Sequence, residues 1–305
     1  MSDSAFTSRP CRGRFAPSPT GPLHFGSMVA AVGSFLQAKS RGGQWLVRIE
    51  DLDPPREAPG AADDILRTLD ACGLRWDGAV MYQSRRHGVY EATLKMLERL
   101  DAIYPCACSR REIADSSMQG VDGPVYPGTC RDGIVPGREP RAWRVKVDGH
   151  VIEFTDALQG RLRRALAADF GDFVLRRADG FFAYQLAVVV DDAEQGITEI
   201  VRGADLIEST PRQMHLQRLL NLPTPAYAHL PVALNARNEK LSKQTFATPV
   251  DAARPRELLF RVLQFLGQQP PADLAENSID DFWRWAVTHW RLECVPRVPG
   301  VAPEK

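Results

Sequence analysis

Three groups of residues in this chain have the types and spacing to do chemistry. The first lies in Gly13 to Ser27, GRFAPSPTGPLHFGS, where a β-like entry, a Pro/Gly turn, a histidine and a helix start follow one another directly. Pro17, Pro19, Gly21 and Pro22 prevent regular structure in the turn. Gly26 and Ser27 then open an apolar run (Met28, Val29, Ala30, Val32, Phe35, Leu36) that reads as a helix. Unpaired backbone N–H groups and the helix dipole favour an anion at such a start, and His24 adds a donor that can follow a phosphoryl oxygen. The second group is Lys240-Leu241-Ser242-Lys243, in a polar stretch after His229 to Leu234. Lysine pairs of this kind are common in solvated loops, so their meaning depends on what accompanies them. The third is Cys106-Ala107-Cys108, with Tyr126 and Cys130 behind it. Three thiolates leave one position of a tetrahedral metal site, open to Tyr126, His150, Glu112 or water. Reduced loop thiols are the alternative, but a small Gly/Pro-rich segment with little apolar material gains much from a structural metal.

These groups need elements to position them. The chain has 305 residues, 44% of them apolar, enough for a sizeable core and about two units. Lys and Arg (38) balance Asp and Glu (38), so any contact with nucleic acid must come from a local basic face. The sequence has no run of about 18 apolar residues and no signal-peptide succession, which predicts a cytoplasmic protein with no membrane partner. Six cysteines over this length indicate reduced thiols or a metal rather than a disulfide framework. Gln44 to Ile49 reads as a strand ending at Glu50, and Gly60 to Cys72 and Val89 to Ala102 read as helices. Trp143 to Val147, Val151 to Phe154 and Ile197 to Val201 read as strands, and Phe181 to Val190 as a buried strand or helix. Thr210 to Leu220, Arg254 to Leu266 and Ile279 to Trp290 complete the helices, with a frayed tail after Val295. Alternation of strand and helix predicts an α/β fold, a parallel sheet with helices on its faces. Ligands then bind beyond the carboxyl ends of the strands, where Arg14 to Ser18 and Glu50 fall.

His24-Phe25-Gly26-Ser27, with PSPTG in front, resembles the HIGH-type signature of class I aminoacyl-tRNA synthetases of the glutamate-specific branch. KLSK resembles the KMSKS-type loop of the same family and follows in the right order. The resemblance implies a Rossmann-type doubly wound sheet with an inserted zinc-binding subdomain and a short helical C-terminal region. The expected boundaries are 1–101 and 171–247 for the two halves of the catalytic domain, 102–170 for the insertion and 248–305 for the closing helices. It further implies ATP as substrate, with Mg²⁺ travelling on its phosphates. His24, Lys240 and Lys243 are the expected catalytic residues, and His24, Gly26, Ser27 and Lys243 the ATP contacts. Attack of a carboxylate on the α-phosphorus concentrates negative charge that preorganised cations stabilise. L-glutamate carries two carboxylates and an ammonium, so its pocket needs arginine forks and an acid. The positions that match are Arg14, Phe15, Ala16, Pro17, Ser18, Glu50, Tyr184 and Arg202. Glu50 is the expected partner of the ammonium. In one subgroup the fourth zinc ligand is a tyrosine at this spacing, which implies Cys106, Cys108, Tyr126 and Cys130 as the metal set.

The acceptor is suggested by the remaining chain. Thr245 to Lys305 is shorter than a typical domain, so no anticodon-binding domain is expected. The pattern resembles the truncated glutamyl-queuosine branch of the family, notably in VRIEDLDPPR (47–56), YQLAVVVDD (184–192), TEIVRGADL (198–206) and KLSKQ. Val188 departs from ordinary glutamyl enzymes, where asparagine is usual. This branch implies activation of glutamate without tRNA, then transfer to the cyclopentene-diol of queuosine at the wobble position of tRNA(Asp). Arg110, Arg111, Arg161, Arg163 and Arg164 are candidate RNA contacts, or simply a solvated charged face. The competing expectations are charging of the 3′ end of tRNA(Glu) and a catalytically silent RNA-binding paralogue.

Overall fold

A computed structural model describes residues 10–235, 249–251 and 253–302, so Lys240 and Lys243 lie outside the described residues. Strand β1 (Arg12–Phe15) leads through the Pro/Gly turn into helix α1 (Phe25–Lys39), and β2 (Gln44–Ile49) returns parallel to β1. The helix starts one residue before Gly26, because the extended His24 caps it with its own ring. Met28, Val29, Ala31, Val32, Phe35 and Leu36 are all buried, which makes α1 a central helix rather than a surface one. Helix α2 (Ala61–Ala71), strand β3 (Met81–Tyr82, parallel to β2) and helix α3 (His87–Arg99) follow.

Strand β4 (Ile103–Cys106) and helix α4 (Arg110–Ser116) begin a region of short pieces. It continues with the hairpin of β5 (Met118–Gly120) and β6 (Gly123–Val125), then β7 (Ala142–Val145). The longer hairpin of β8 (Val151–Asp156) and β9 (Gly160–Ala165) comes next, followed by α5 (Leu166–Asp169) and β10 (Val174–Arg176). Here β4, β7 and β10 form an antiparallel sheet in the order β10-β7-β4.

The chain then alternates again through α6 (Tyr184–Glu194), β11 (Glu199–Gly203), α7 (Ser209–Leu219) and β12 (Ala226–Leu230). Strands β11 and β12 are parallel, with Arg202 opposite His229. Thr198 donates its N–H to Arg12 O at 3.0 Å, which joins the start of β11 to β1. This is the α/β arrangement expected, and the chain closes with β13 (Val232–Ala233), α8 (Pro255–Phe265), α9 (Ile279–His289) and β14 (Gly300–Val301). One core surrounds α1 and takes in Trp45, Leu263, Phe282 and Trp283, so the C-terminal helices support the helix that follows the first turn. Trp290 Nε1 donates to Gln37 Oε1 at 2.9 Å and fixes that contact. A second core holds Tyr90, Leu97, Phe182 and the apolar residues of α6. Among the described residues no helix is long and apolar enough to cross a membrane.

Two sequence readings change. The run Phe181 to Val190, open between strand and helix, is helical from Tyr184, with Leu186 to Asp192 buried on all sides among neighbouring elements. The tail after Val295 is not frayed over its described part. Val232 donates its N–H to Pro299 O and Leu234 donates to Val301 O, each at 2.9 Å, as β14 pairs in parallel with β13. Two-residue strands carry no periodicity, so this pairing exists only in three dimensions. Deleting residues 299–305 removes those two hydrogen bonds and frees β13. We expect a loss of about 1–3 kcal/mol, read as a lower denaturation midpoint. An unchanged midpoint refutes the pairing.

Candidate active site

The carboxyl ends of β1, β2, β11 and β12 open onto a single cavity of about 820 Å³. Its wall contains every residue of the expected glutamate set, Arg14 to Ser18, Glu50, Tyr184 and Arg202, together with His24, Gly26 and Ser27. The turn is stitched to the end of β2, since Glu50 donates its N–H to Pro17 O at 2.9 Å. Ser27 donates its N–H to His24 Nδ1 at 3.2 Å. One N–H of the helix start is thereby taken, contrary to the sequence picture of wholly open donors. The compensation is that Nδ1 must carry a lone pair, so the ring proton is on Nε2.

The floor beneath the cavity is a buried ionic network. Arg14 donates from Nε and Nη2 to the two oxygens of Asp192, at 3.0 and 3.2 Å. Arg48, fully buried, donates to Asp192 Oδ1 at 2.8 Å, to Glu50 Oε1 at 3.3 Å and to Gln195 Oε1 at 2.6 Å. Asp191, next along α6, accepts from Arg86 Nε and Gln83 Nε2 at 2.7 Å and from Tyr90 OH at 2.8 Å. Burial opposes charge on Arg48, but Asp192, Glu50 and Asp191 together hold its ionisation above the ordinary arginine range. Burial likewise opposes charge on Asp192, and Arg14 and Arg48 more than offset it. For Glu50 burial wins, and its carboxyl is pushed up to about 7 in spite of Arg48 and Arg14.

Arg202 on the opposite wall is held differently. Its Nε donates to His229 Nε2 at 3.1 Å, Nη2 to Thr210 Oγ1 at 2.9 Å and to Leu206 O at 3.3 Å, and Nη1 to Tyr184 OH at 3.3 Å. Val188, one turn after Tyr184 on α6, is buried, and the described residues that line the cavity do not include it. The segment carrying Lys240 and Lys243 leaves the described chain after Asn235 and rejoins it at Pro249. Among the described residues, Val232 and Ala233 line the cavity, and Pro249 bridges His24.

The cysteines form a second, separate group. The thiols of Cys106, Cys108 and Cys130 lie within 4.8 Å of one another. Tyr126 OH is 3.4 Å from both Cys106 Sγ and Cys108 Sγ. Four donors around a tetrahedral zinc stand roughly 3.3–3.8 Å apart, so these spacings fit one. Of the other candidates for the fourth position, His150 is exposed and its Nδ1 lies 2.5 Å from Asp148, while Glu112 is bound to Ser109 and Arg138. The candidate RNA arginines are partly spoken for, since Arg161 and Arg163 pair with Glu153 and Arg164 is forked onto Glu208. Arg110 and Arg111 are exposed.

Residues 10–281 match the family described as tRNA synthetases class I (E and Q), catalytic domain. A relative from Chromobacterium violaceum named glutamyl-Q tRNA(Asp) synthetase is 59% identical over 292 residues, covering 96% of this chain and 97% of its own. A relative of the same name from Dechloromonas aromatica is 60% identical over 290 residues, covering 94% and 96%. The chain belongs to the glutamyl-Q tRNA(Asp) synthetase family. Among solved structures it is similar to a glutamate tRNA ligase from Elizabethkingia meningosepticum in complex with its amino acid. The TM-score is 0.80 at 25% identity, over 97% of this chain and 67% of that one.

What sequence reading of this family member missed is the layer behind the pocket: Arg48, Asp191 and Asp192 below, Asp156 and His229 at the side. Asp191-Asp192 at the end of an otherwise apolar run was the one visible signal. Arg56 and Asp205 also line the cavity without having been singled out. The floor makes a prediction independent of any ligand. The folded-state pKa of Glu50 lies above its unfolded value of 4.5, so the native state binds more protons between the two. Stability is therefore lost as pH rises from about 4.5 to about 7. Glu50→Gln removes that cost, and we expect it to be more stable than wild type by up to about 3 kcal/mol at pH 8 and nearly equal at pH 4.5. Equal denaturation midpoints at pH 8 contradict the burial argument.

Proposed function

We propose that this chain activates L-glutamate with ATP as glutamyl-adenylate and transfers the glutamyl group to queuosine at the wobble position of tRNA(Asp). The observation that carries the reading is the convergence of Arg14, Glu50, Tyr184, Arg202 and His24 on one cavity. In this reading Glu50 holds the ammonium, and Arg14, Tyr184 and Arg202 share the two carboxylates. One oxygen of the α-carboxylate attacks the α-phosphorus, and the bond to pyrophosphate breaks. His24 donates from Nε2 to the phosphoryl oxygens, and Lys240 and Lys243 neutralise the charge that builds there and on the leaving group. A hydroxyl of the queuosine diol then attacks the carbonyl of the mixed anhydride, loses its proton, and AMP departs. The acceptor assignment is supported by the names of relatives that match over nearly their whole length.

Cys106, Cys108, Tyr126 and Cys130 would hold one structural Zn²⁺, which supplies cross-links to a region of short elements and no chemistry at the cavity. Residues 102–170 form the inserted acceptor-type subdomain around it, between the halves 1–101 and 171–247, with 248–305 as the helical closing region. The protein works with its tRNA in the cytoplasm.

Labelled glutamate incubated with ATP and queuosine-containing tRNA(Asp), followed by cleavage within the anticodon arm, tests the acceptor. Label is expected on the anticodon fragment, and label on the 3′ acceptor fragment overturns the assignment. The first step is read by glutamate-dependent ATP–pyrophosphate exchange without tRNA, which Lys243→Ala should lower by about 100-fold or more with the fold intact. Exchange near wild type removes Lys243 from the mechanism. Cys106→Ser should lose bound zinc while exchange is less affected, and retained stoichiometric zinc contradicts the ligand set.

A further inference from the structure

We propose that Asp156 and His229 are positioning residues for Arg202: Asp156 fixes the proton of His229 on Nδ1, so that Nε2 presents a lone pair that aligns the Arg202 guanidinium. The inference rests on the reading of Arg202 as a ligand of the substrate carboxylate. It goes beyond that reading by assigning a function to two residues behind the cavity, one of them on the β8–β9 hairpin. Both side chains are completely buried. Asp156 Oδ1 accepts three backbone N–H groups, from Leu158 at 3.0 Å, Gln159 at 2.9 Å and His229 at 3.1 Å. That oxygen cannot exchange places with Oδ2, which is 2.6 Å from His229 Nδ1. A carboxylate only accepts, so the imidazole must donate from Nδ1. On the far side of the ring, Arg202 Nε only donates, so Nε2 must accept. The tautomer is thus set from both ends, and a protonated imidazole would put N–H against N–H and cation against cation. The ring plane is fixed as well, stacked at 7° on Tyr227 with centroids 6.1 Å apart.

The arrangement gives Arg202 a neutral acceptor in place of a carboxylate. A carboxylate in that place would compete with the substrate for the guanidinium and cancel its charge. A neutral imidazole orients it and leaves its charge for the cavity.

The test uses isosteric changes and two readouts. Asp156→Asn keeps an oxygen for the three backbone donors but places an amide N–H against Nδ1, which drives the ring proton to Nε2, facing Arg202. We expect its KM for glutamate in pyrophosphate exchange to rise about tenfold or more with KM for ATP little changed, while the broken buried hydrogen bond lowers the denaturation midpoint. His229→Gln, whose amide can donate to Asp156 and accept from Arg202, should bind glutamate better than His229→Leu. Imidazole ¹⁵N shifts give a signature independent of activity: Nδ1–H in wild type, Nε2–H in Asp156→Asn. Arg202→Lys separates this inference from the reading beneath it. If Arg202→Lys leaves KM for glutamate unchanged, the carboxylate role of Arg202 is wrong. If Arg202→Lys raises KM while Asp156→Asn does not, or if wild-type His229 carries its proton on Nε2, the positioning role is wrong.

Discussion

Arg48 is the cation on which the site depends. It is fully buried between Asp192, Glu50 and Asp191, which come from the end of β2 and from α6, and its removal would leave three acids facing one another without water. With it in place, Asp192 can hold Arg14 at the cavity wall and Glu50 can stand at the cavity edge. The strands and α6 are therefore tied together by charge under the pocket as well as by the apolar core around them. Such a network contributes little net stability, because desolvation offsets most of its attraction. What it contributes is placement, since none of its members can turn without leaving a buried charge unpaired.

The two arginines of the cavity differ in consequence. Arg14 is forked onto an ionised aspartate, so much of its charge is matched inside the protein. Arg202 is oriented by a neutral histidine, a hydroxyl, a phenol and a backbone carbonyl, none of which cancels its charge. The cavity therefore presents one arginine already matched by an acid and one that is not.

The legible part of this molecule is the part written in local pattern. The turn before α1, the strand ending at Glu50 and the closing helices all follow from Pro, Gly and apolar spacing, and they emerged within a residue or two of their positions. The cysteine cluster was equally visible, because thiols at short spacing have few other uses. The supporting layer was not visible, because its partners are far apart in sequence: Arg14 meets Asp192, Arg48 meets Asp191, and Asp156 meets His229. A single buried acid has no sequence mark that distinguishes it from an exposed one until its cation is known. The pairing of β13 with β14 escaped for a related reason, since backbone hydrogen bonds between two-residue strands depend on no side-chain type.

The two histidines beside the cavity use the same ring in opposite senses. His24 accepts at Nδ1 from the first turn of α1, which leaves its ring proton on Nε2. His229 gives its proton at Nδ1 to Asp156, which leaves a lone pair at Nε2 for Arg202. In each case the far nitrogen is decided by a partner that has only one role open to it: a backbone N–H that must donate, a carboxylate that must accept. His229 cannot bind a second proton without setting an N–H against Arg202, and burial holds its pKa below the ordinary histidine range. A ring proton on Nε2 in one histidine and an arginine-facing lone pair on Nε2 in the other are thereby obtained from one residue type, and the difference lies entirely in what stands behind the ring.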